Sequence, residues 1–250
     1  MMTDELKRES SSDKPNFNTT QWSMVLAAAR GNQEDAAIAL QSLCRTYWYP
    51  LFAFARRRGF ELAAAQDATQ EFFKALLDKD FLKGITREGG RFRSFLLTAF
   101  RRFLANHQRA ENTIKRGGGR LTFSLAFEEA ETKYQNEPSH NITAEQLFEH
   151  RWAVTLIERV MNTLKENYRE MDKMDLFTHL HSCLTDQEEI SYREIADRTN
   201  TTEGAVKSAA HRLRIQFANE LRREIGNTVE NPDEIEEELQ ALIRTLQRGS

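Results

Sequence analysis

The sequence predicts an all-α protein: two small helical domains joined by a flexible linker, the second containing a helix-turn-helix, plus a C-terminal helix. Three observations lead there. The 250 residues include only four prolines and eleven glycines. Period-two alternation is scarce, and apolar residues recur at spacings of three and four, the period of a helix face. An apolar fraction of 40% is enough for real cores but leaves little to spare.

The elements follow in order. Residues 1–18, MMTDELKRESSSDKPNFN, are polar and mixed in charge, and read as a disordered tail without the apolar centre of a signal peptide. Residues 22–30 look helical and end at Gly31. A helix over 35–49 carries Ala36, Leu40, Leu43 and Tyr47 at helical spacing; Pro50 interrupts it, and 51–58 continues to Gly59. Residues 62–77 form a strong helix, GITREGG (84–90) a loop, and 92–108 a helix with Phe92, Phe95, Leu96, Ala99, Phe103 and Leu104 on one side. These make a first domain over 19–112. The glycine triplet of IKRGGGR (114–120) cannot sit cheaply inside a helix. With Pro138 and few apolar anchors, 113–143 reads as a linker. A second domain, 144–229, opens on Phe148, Trp152, Leu156, Val160 and Leu164, four residues apart, and continues with a helix over 171–184. The last segment, 230–250, has Pro232 at a first helical position, leading acids, trailing Arg244 and Arg248, and a stripe of Ile235, Leu239, Leu242 and Leu246. It reads as a helix packed on the second domain.

Charge is distributed unevenly beneath a net of −3. Residues 87–120 hold nine Lys/Arg against two acids, and 121–189 hold six against fourteen. The average hides a basic segment beside an acidic one, and basic clustering is what a phosphate-binding face needs, although a single charge run is more often a solvated helix face. The two cysteines, Cys44 and Cys183, are too few for a disulfide framework and point to a reducing compartment, so a cytoplasmic location is expected. No apolar run approaches membrane-spanning length.

The stretch SYREIADRTNTTEGAVKSAAHRLR (191–214) carries the sharpest functional signal. Ser191 and Glu194 have the form of a capping box, and Thr202 can cap a second helix after the break RTNTT. From Glu203 onward, Val206, Ala210, Leu213, Phe217, Leu221 and Ile225 form one buried stripe. Lys207, His211, Arg214 and Arg222 lie off it, with Ser208 and Arg212 beside it and no obvious internal partner. A short helix, a polar turn and a second helix with an outward basic face make a helix-turn-helix whose second helix enters the major groove. Lys and Arg can bond guanine acceptors there, and Glu203 can accept from a cytosine amine.

This stretch resembles the promoter-reading domain of bacterial sigma factors of the extracytoplasmic-function (ECF) type, in the sigma-70 family. Tyr192, Glu194, Ile195, Ala196, Glu203, Gly204, Val206, Lys207, Ser208, His211, Arg212 and Arg214 match the family pattern. Thr202 replaces its capping serine, and Ala209 stands where many members carry arginine. QDATQEFFKALL (66–77) resembles the family's D-x-x-Q-E-x-F signature. GRFRSFLLTAFRRFLANHQR (90–109) resembles the segment that captures the melted minus-ten strand, with Phe95 at the usual tryptophan position. KRGGGR, HRLR and the tail resemble a planctomycete-type branch.

The resemblance implies an initiation subunit, not an enzyme. Asp67, Gln70, Glu71, Phe73 and Lys74 would dock on the clamp of the largest subunit of core RNA polymerase. By spacing, Asp67, Gln70, Glu71 and Lys74 share a polar face, while Phe72, Ala75 and Leu76 can face the core. Arg91, Arg93, Phe95, Arg101, Arg102, Asn106 and Arg109 would take the minus-ten strand, since phosphates need charge and bases need flat surfaces. Thr202, Glu203, Lys207, Ser208, His211, Arg212 and Arg214 would read the minus-thirty-five duplex. An anti-sigma factor stays open as a further partner. The alternative is a two-domain helix-turn-helix regulator that never joins polymerase; it leaves the DATQEFF helix unexplained.

No cofactor or metal is expected. His179, His181 and Cys183 form H-x-H-x-C near Glu188, but on a helix only His179 and Cys183 align. RGGGR lacks the lysine and hydroxyl residue of a phosphate loop, and no nucleophile–base set stands out.

Overall fold

The computed structural model describes residues 33–76, 91–111, 127–135, 137, 142–184, 191–229 and 231–249. The described residues are helical with no strand, as the sequence predicts. The expected helix at 22–30, the N-terminal tail, the 84–90 loop and the glycine triplet lie outside them.

Helix α1, Gln33–Arg57, runs straight through Pro50. A proline inside a helix forfeits a backbone bond and costs about 3 kcal/mol. Here Tyr47, Leu51, Phe52 and Phe54 are fully buried around it. Burying each such side chain returns roughly 1.5–3 kcal/mol, so packing carries one helix across the expected break. Gly59 ends it at φ +91°. The Phe60 amide bonds the Ala55 carbonyl at 3.2 Å and the Gly59 amide bonds that of Arg56 at 3.0 Å, a Schellman closure.

Helix α2, Leu62–Leu76, buries Ala65, Ala68, Thr69, Phe72, Phe73 and Leu76. Helix α3, Phe92–Glu111, meets it through Phe100, whose ring lies 4.9 Å from that of Phe72. Helix α4, Phe127–Gln135, falls inside the expected linker. It is fastened rather than slack: the Tyr134 ring packs 6.3 Å from Phe52, and the Arg56 guanidinium lies 5.1 Å over Tyr134. Just beyond it, buried Glu137 accepts the Tyr49 hydroxyl at 2.7 Å and pairs with Arg151. One carboxylate thereby ties together both blocks of the chain.

Helix α5, Ala144–Glu170, opens on Thr143, whose hydroxyl accepts from the Gln146 amide at 3.1 Å while the Gln146 side chain accepts from the Thr143 amide at 2.8 Å. The stripe Phe148, Trp152, Leu156, Val160 and Leu164 is buried as its spacing predicts. Helix α6, Met174–Leu180, and a 3-10 turn, His181–Leu184, follow a reversal at Asp172, φ +55°. The helix expected over 171–184 is therefore shorter at both ends. Helices α7, Tyr192–Arg198, and α8, Glu203–Gly226, flank a four-residue turn. A 3-10 turn at Pro232–Glu234 leads into α9, Ile235–Gly249.

The most extensive helix–helix contact joins α1 to α5, and α5 also packs on α8 and α9. Buried residues of both blocks form one continuous cluster, from Leu43 to Leu242. This departs from the expected pair of loosely tethered modules. The physical reason is α5: Trp152, Leu156 and Val160 sit in a core that also holds Tyr47, Leu51 and Phe52 of α1. Polar groups cross the same seam. Arg159 of α5 donates to Glu224 of α8 at 3.2 Å and to the Thr46 hydroxyl of α1 at 3.1 Å.

Candidate nucleic-acid interface

The rear surface is built on α7 and α8. Ser191 accepts from the Glu194 amide at 3.2 Å, and Glu194 accepts in return from the Ser191 amide at 2.8 Å. The Ser191 amide, and the Ser191 hydroxyl donating to the same oxygen at 3.0 Å, hold the Glu194 carboxyl below its usual range. After the turn, Thr202 Oγ1 accepts from the Ala205 amide at 3.2 Å and starts α8. Val206, Ala210, Leu213, Leu221 and Ile225 are buried and Phe217 half-buried, so α8 turns the predicted stripe inward. Lys207, Ser208, His211, Arg212, Arg214 and Arg222 are exposed, as are Thr202 and Glu203. The seven residues assigned to duplex reading thus share the solvent side of one helix start.

Their local partners matter. Lys207 Nζ lies 2.8 Å from Glu203 Oε1 one turn back, which lowers the Glu203 carboxyl and raises the Lys207 ammonium from their ordinary values. Lys207 therefore does have a partner, contrary to the sequence reading. Exposed pairs of this kind contribute little and are screened by salt, so Lys207 is easily lent to another anion. Ser208 Oγ donates to the Gly204 carbonyl at 2.9 Å and keeps acceptor capacity. Arg214 reaches the Tyr192 hydroxyl at 3.4 Å across the turn. Ala209 is 4% exposed and belongs to the inner face. Its small side chain leaves no gap in the exposed basic stripe.

The front surface is α2. Asp67 and Glu71 are exposed, and Gln70 and Lys74 half-exposed, on one side. Glu71 Oε2 lies 3.0 Å from His107 Nε2 of α3. Phe73 is not part of this face. It is 0% exposed, with its ring 5.9 Å from Phe72. Helix α2 packs on both α1 and α3, so its buried arc is wide enough to take both adjacent phenylalanines. Phe72 and Leu76 are buried as expected, and Ala75 is half-buried.

The residues assigned to a melted strand divide. Arg101, Arg102 and Asn106 are exposed. Phe95 is half-buried, its ring 5.9 Å from Phe92. The side chain of Arg109 lies outside the described residues. Arg93 is 4% exposed and not on the surface. Its Nε and Nη2 bond Glu238 of α9 at 2.6 and 3.0 Å, a further nitrogen pairs with Glu149, and its guanidinium lies 4.4 Å over the Trp152 ring. Arg91 Nε pairs with the same Glu238 at 2.8 Å.

Sequence reasoning missed Arg58, Phe54 and Phe60 in this region. A cleft of about 600 Å3 between the end of α1 and α3 is lined by Arg58, Arg101 and Arg102 together with Phe54, Phe60 and Leu104. No acid lines it. Three guanidiniums around one cleft can hold a phosphodiester; Phe54 and Leu104 are buried behind them. The run RRRGF (56–60) was the available signal; it reads locally as the end of a helix, and its proximity to α3 is a tertiary fact.

Among the described residues no three His, Cys, Asp or Glu side chains gather as a metal site. No described helix is long and apolar enough to cross a membrane. Comparison with protein-family models, curated proteins and solved structures finds no match.

Proposed function

We propose that this chain is a sigma-type initiation subunit: it binds core RNA polymerase through the polar face of α2 and reads promoter DNA through α8 and the basic surface of α3. It would act in the cytoplasm, where polymerase and promoter are. The observation that carries the reading is the start of α8. A capped helix follows a short turn, its apolar stripe is buried, and Lys207, Ser208, His211 and Arg212 are left facing solvent. That is the arrangement a duplex-reading helix requires, with base edges at its N-terminal residues and phosphates on the flanking cations. The exposed Asp67 and Glu71 on α2, and the cleft lined by Arg58, Arg101 and Arg102, support the other two contacts.

Binding to a random-sequence duplex pool tests the α8 contact. Affinity should fall with salt at a log-log slope of roughly −0.9 per phosphate neutralised. Lys207→Ala should weaken binding by about tenfold without changing the unfolding midpoint. A flat salt response, or an unchanged affinity in that variant, would remove α8 from the interface.

A further inference from the structure

Glu238 is the one acid of the leading run of α9 that is buried. Glu236 and Glu237 are exposed, whereas Glu238 is 0% exposed. Its two oxygens are taken by Arg93 at 2.6 and 3.0 Å and by Arg91 at 2.8 Å. Stability alone does not call for this arrangement. Buried ion pairs are often replaceable by apolar side chains at no loss, and α9 already has Leu239 and Leu242 buried in the core. What the pair does is occupy two arginines of the basic segment. A guanidinium fork fits carboxylate and phosphate alike, so Glu238 sits where a strand phosphate would otherwise be bound.

The seam beside the pair is not sealed. A cavity of about 560 Å3 opens there, lined by Arg91, Glu149, His150, Arg244 and Arg248 among others. Arg244 and Arg248 are exposed on α9 itself. Arg93 lines the same cavity, and Glu145 and Glu149 stand on its α5 wall. An incoming polyanion meets Arg91 and Arg93 on one side and Arg244 and Arg248 on the other, and approaches along the α9 side, away from those two acids.

We propose that α9 is an intramolecular competitor of single-stranded nucleic acid: Glu238 latches Arg91 and Arg93 away from the strand, and strand binding displaces the helix. The inference rests on the strand-binding role given to α3 above. Displacement frees Arg91 and the Nε–Nη2 edge of Arg93, whose remaining nitrogen stays paired with Glu149 over the Trp152 ring. It costs the burial of Leu239 and Leu242, so the latched form holds the strand weakly and the released form more tightly.

The test uses the full chain, a fluorescent random-sequence 20-mer single strand, and the random-sequence duplex pool as a parallel probe of α8. Glu238→Gln keeps the shape of the side chain and removes its charge. It should raise single-strand affinity by about tenfold, within the usual range of coupling between sites, and leave duplex affinity where it was. Adding Arg91→Gln and Arg93→Gln should cancel that gain. Hydrogen exchange on the unaltered protein gives a readout that no variant can confound: amides of α9 should lose protection when the single strand is bound. Unchanged single-strand affinity in Glu238→Gln with normal duplex binding, or a gain that survives loss of both arginines, overturns the latch alone. So does undiminished protection of α9 in the strand complex, including where Glu238→Gln fails to fold. Absence of binding to either probe in every form overturns the latch together with the function beneath it.

Discussion

Glu71 and Phe73 stand two residues apart on α2 and have opposite fates. Glu71 lies half in solvent beside His107, whereas Phe73 is sealed between α2 and its neighbours. The two substitutions therefore fail differently. Phe73→Ala should cost about 3–5 kcal/mol in a denaturant titration, the usual range for emptying a buried aromatic site. Glu71→Ala should cost less than about 1 kcal/mol, as an exposed pair does, yet weaken binding to core polymerase. The opposite pattern, a stable Phe73→Ala that no longer binds polymerase, would return Phe73 to the docking face. Single residues also show what a sequence can disclose. Ser191 and Thr202 were legible as caps because the bonds they make reach only three residues along the chain. Arg93 was not, because its carboxylate comes from a residue 145 positions away. Nothing in RFRSF distinguishes an arginine that faces a partner from one that faces Glu238.

At the scale of elements, the long apolar stripes were read correctly, the faces at Phe73 and Arg93 were not, and neither was the assembly of the helices. The four-residue repeat from Phe148 to Leu164 marks the buried side of α5 without saying that α1 covers it. Pro50 is a real local penalty, and only the burial of Tyr47, Leu51, Phe52 and Phe54 explains why α1 continues through it. The supposed linker failed as a linker in its described part because two polar-looking residues, Tyr134 and Glu137, are its anchors. Helices α1, α4, α5 and α8 thus share one core and one set of crossing hydrogen bonds. Chemical unfolding should give a single transition, with near- and far-ultraviolet signals coincident. Glu137→Ala leaves Arg151 and the Tyr49 hydroxyl without their acceptor and should lower the midpoint of that one transition. Two resolved transitions, only one of them moved by Glu137→Ala, would mean that the blocks fold independently.

For the whole molecule, the proposed function gives the three surfaces one joint use. The polar face of α2, the cleft lined by Arg58, Arg101 and Arg102, and the exposed start of α8 lie on different helices of one body. A regulator that only binds duplex has use for α8 and none for the other two. An initiation subunit needs all three: one for polymerase, one for the opened strand and one for the upstream duplex. The most direct measurement is reconstitution from purified parts. The full chain is mixed with bacterial core RNA polymerase and a pooled library of genomic promoter fragments, and complex formation and new transcripts are read together. Co-elution with core polymerase, and transcripts from a subset of fragments sharing one upstream sequence, are the predicted result. Duplex binding with no association with core polymerase and no initiation would contradict it.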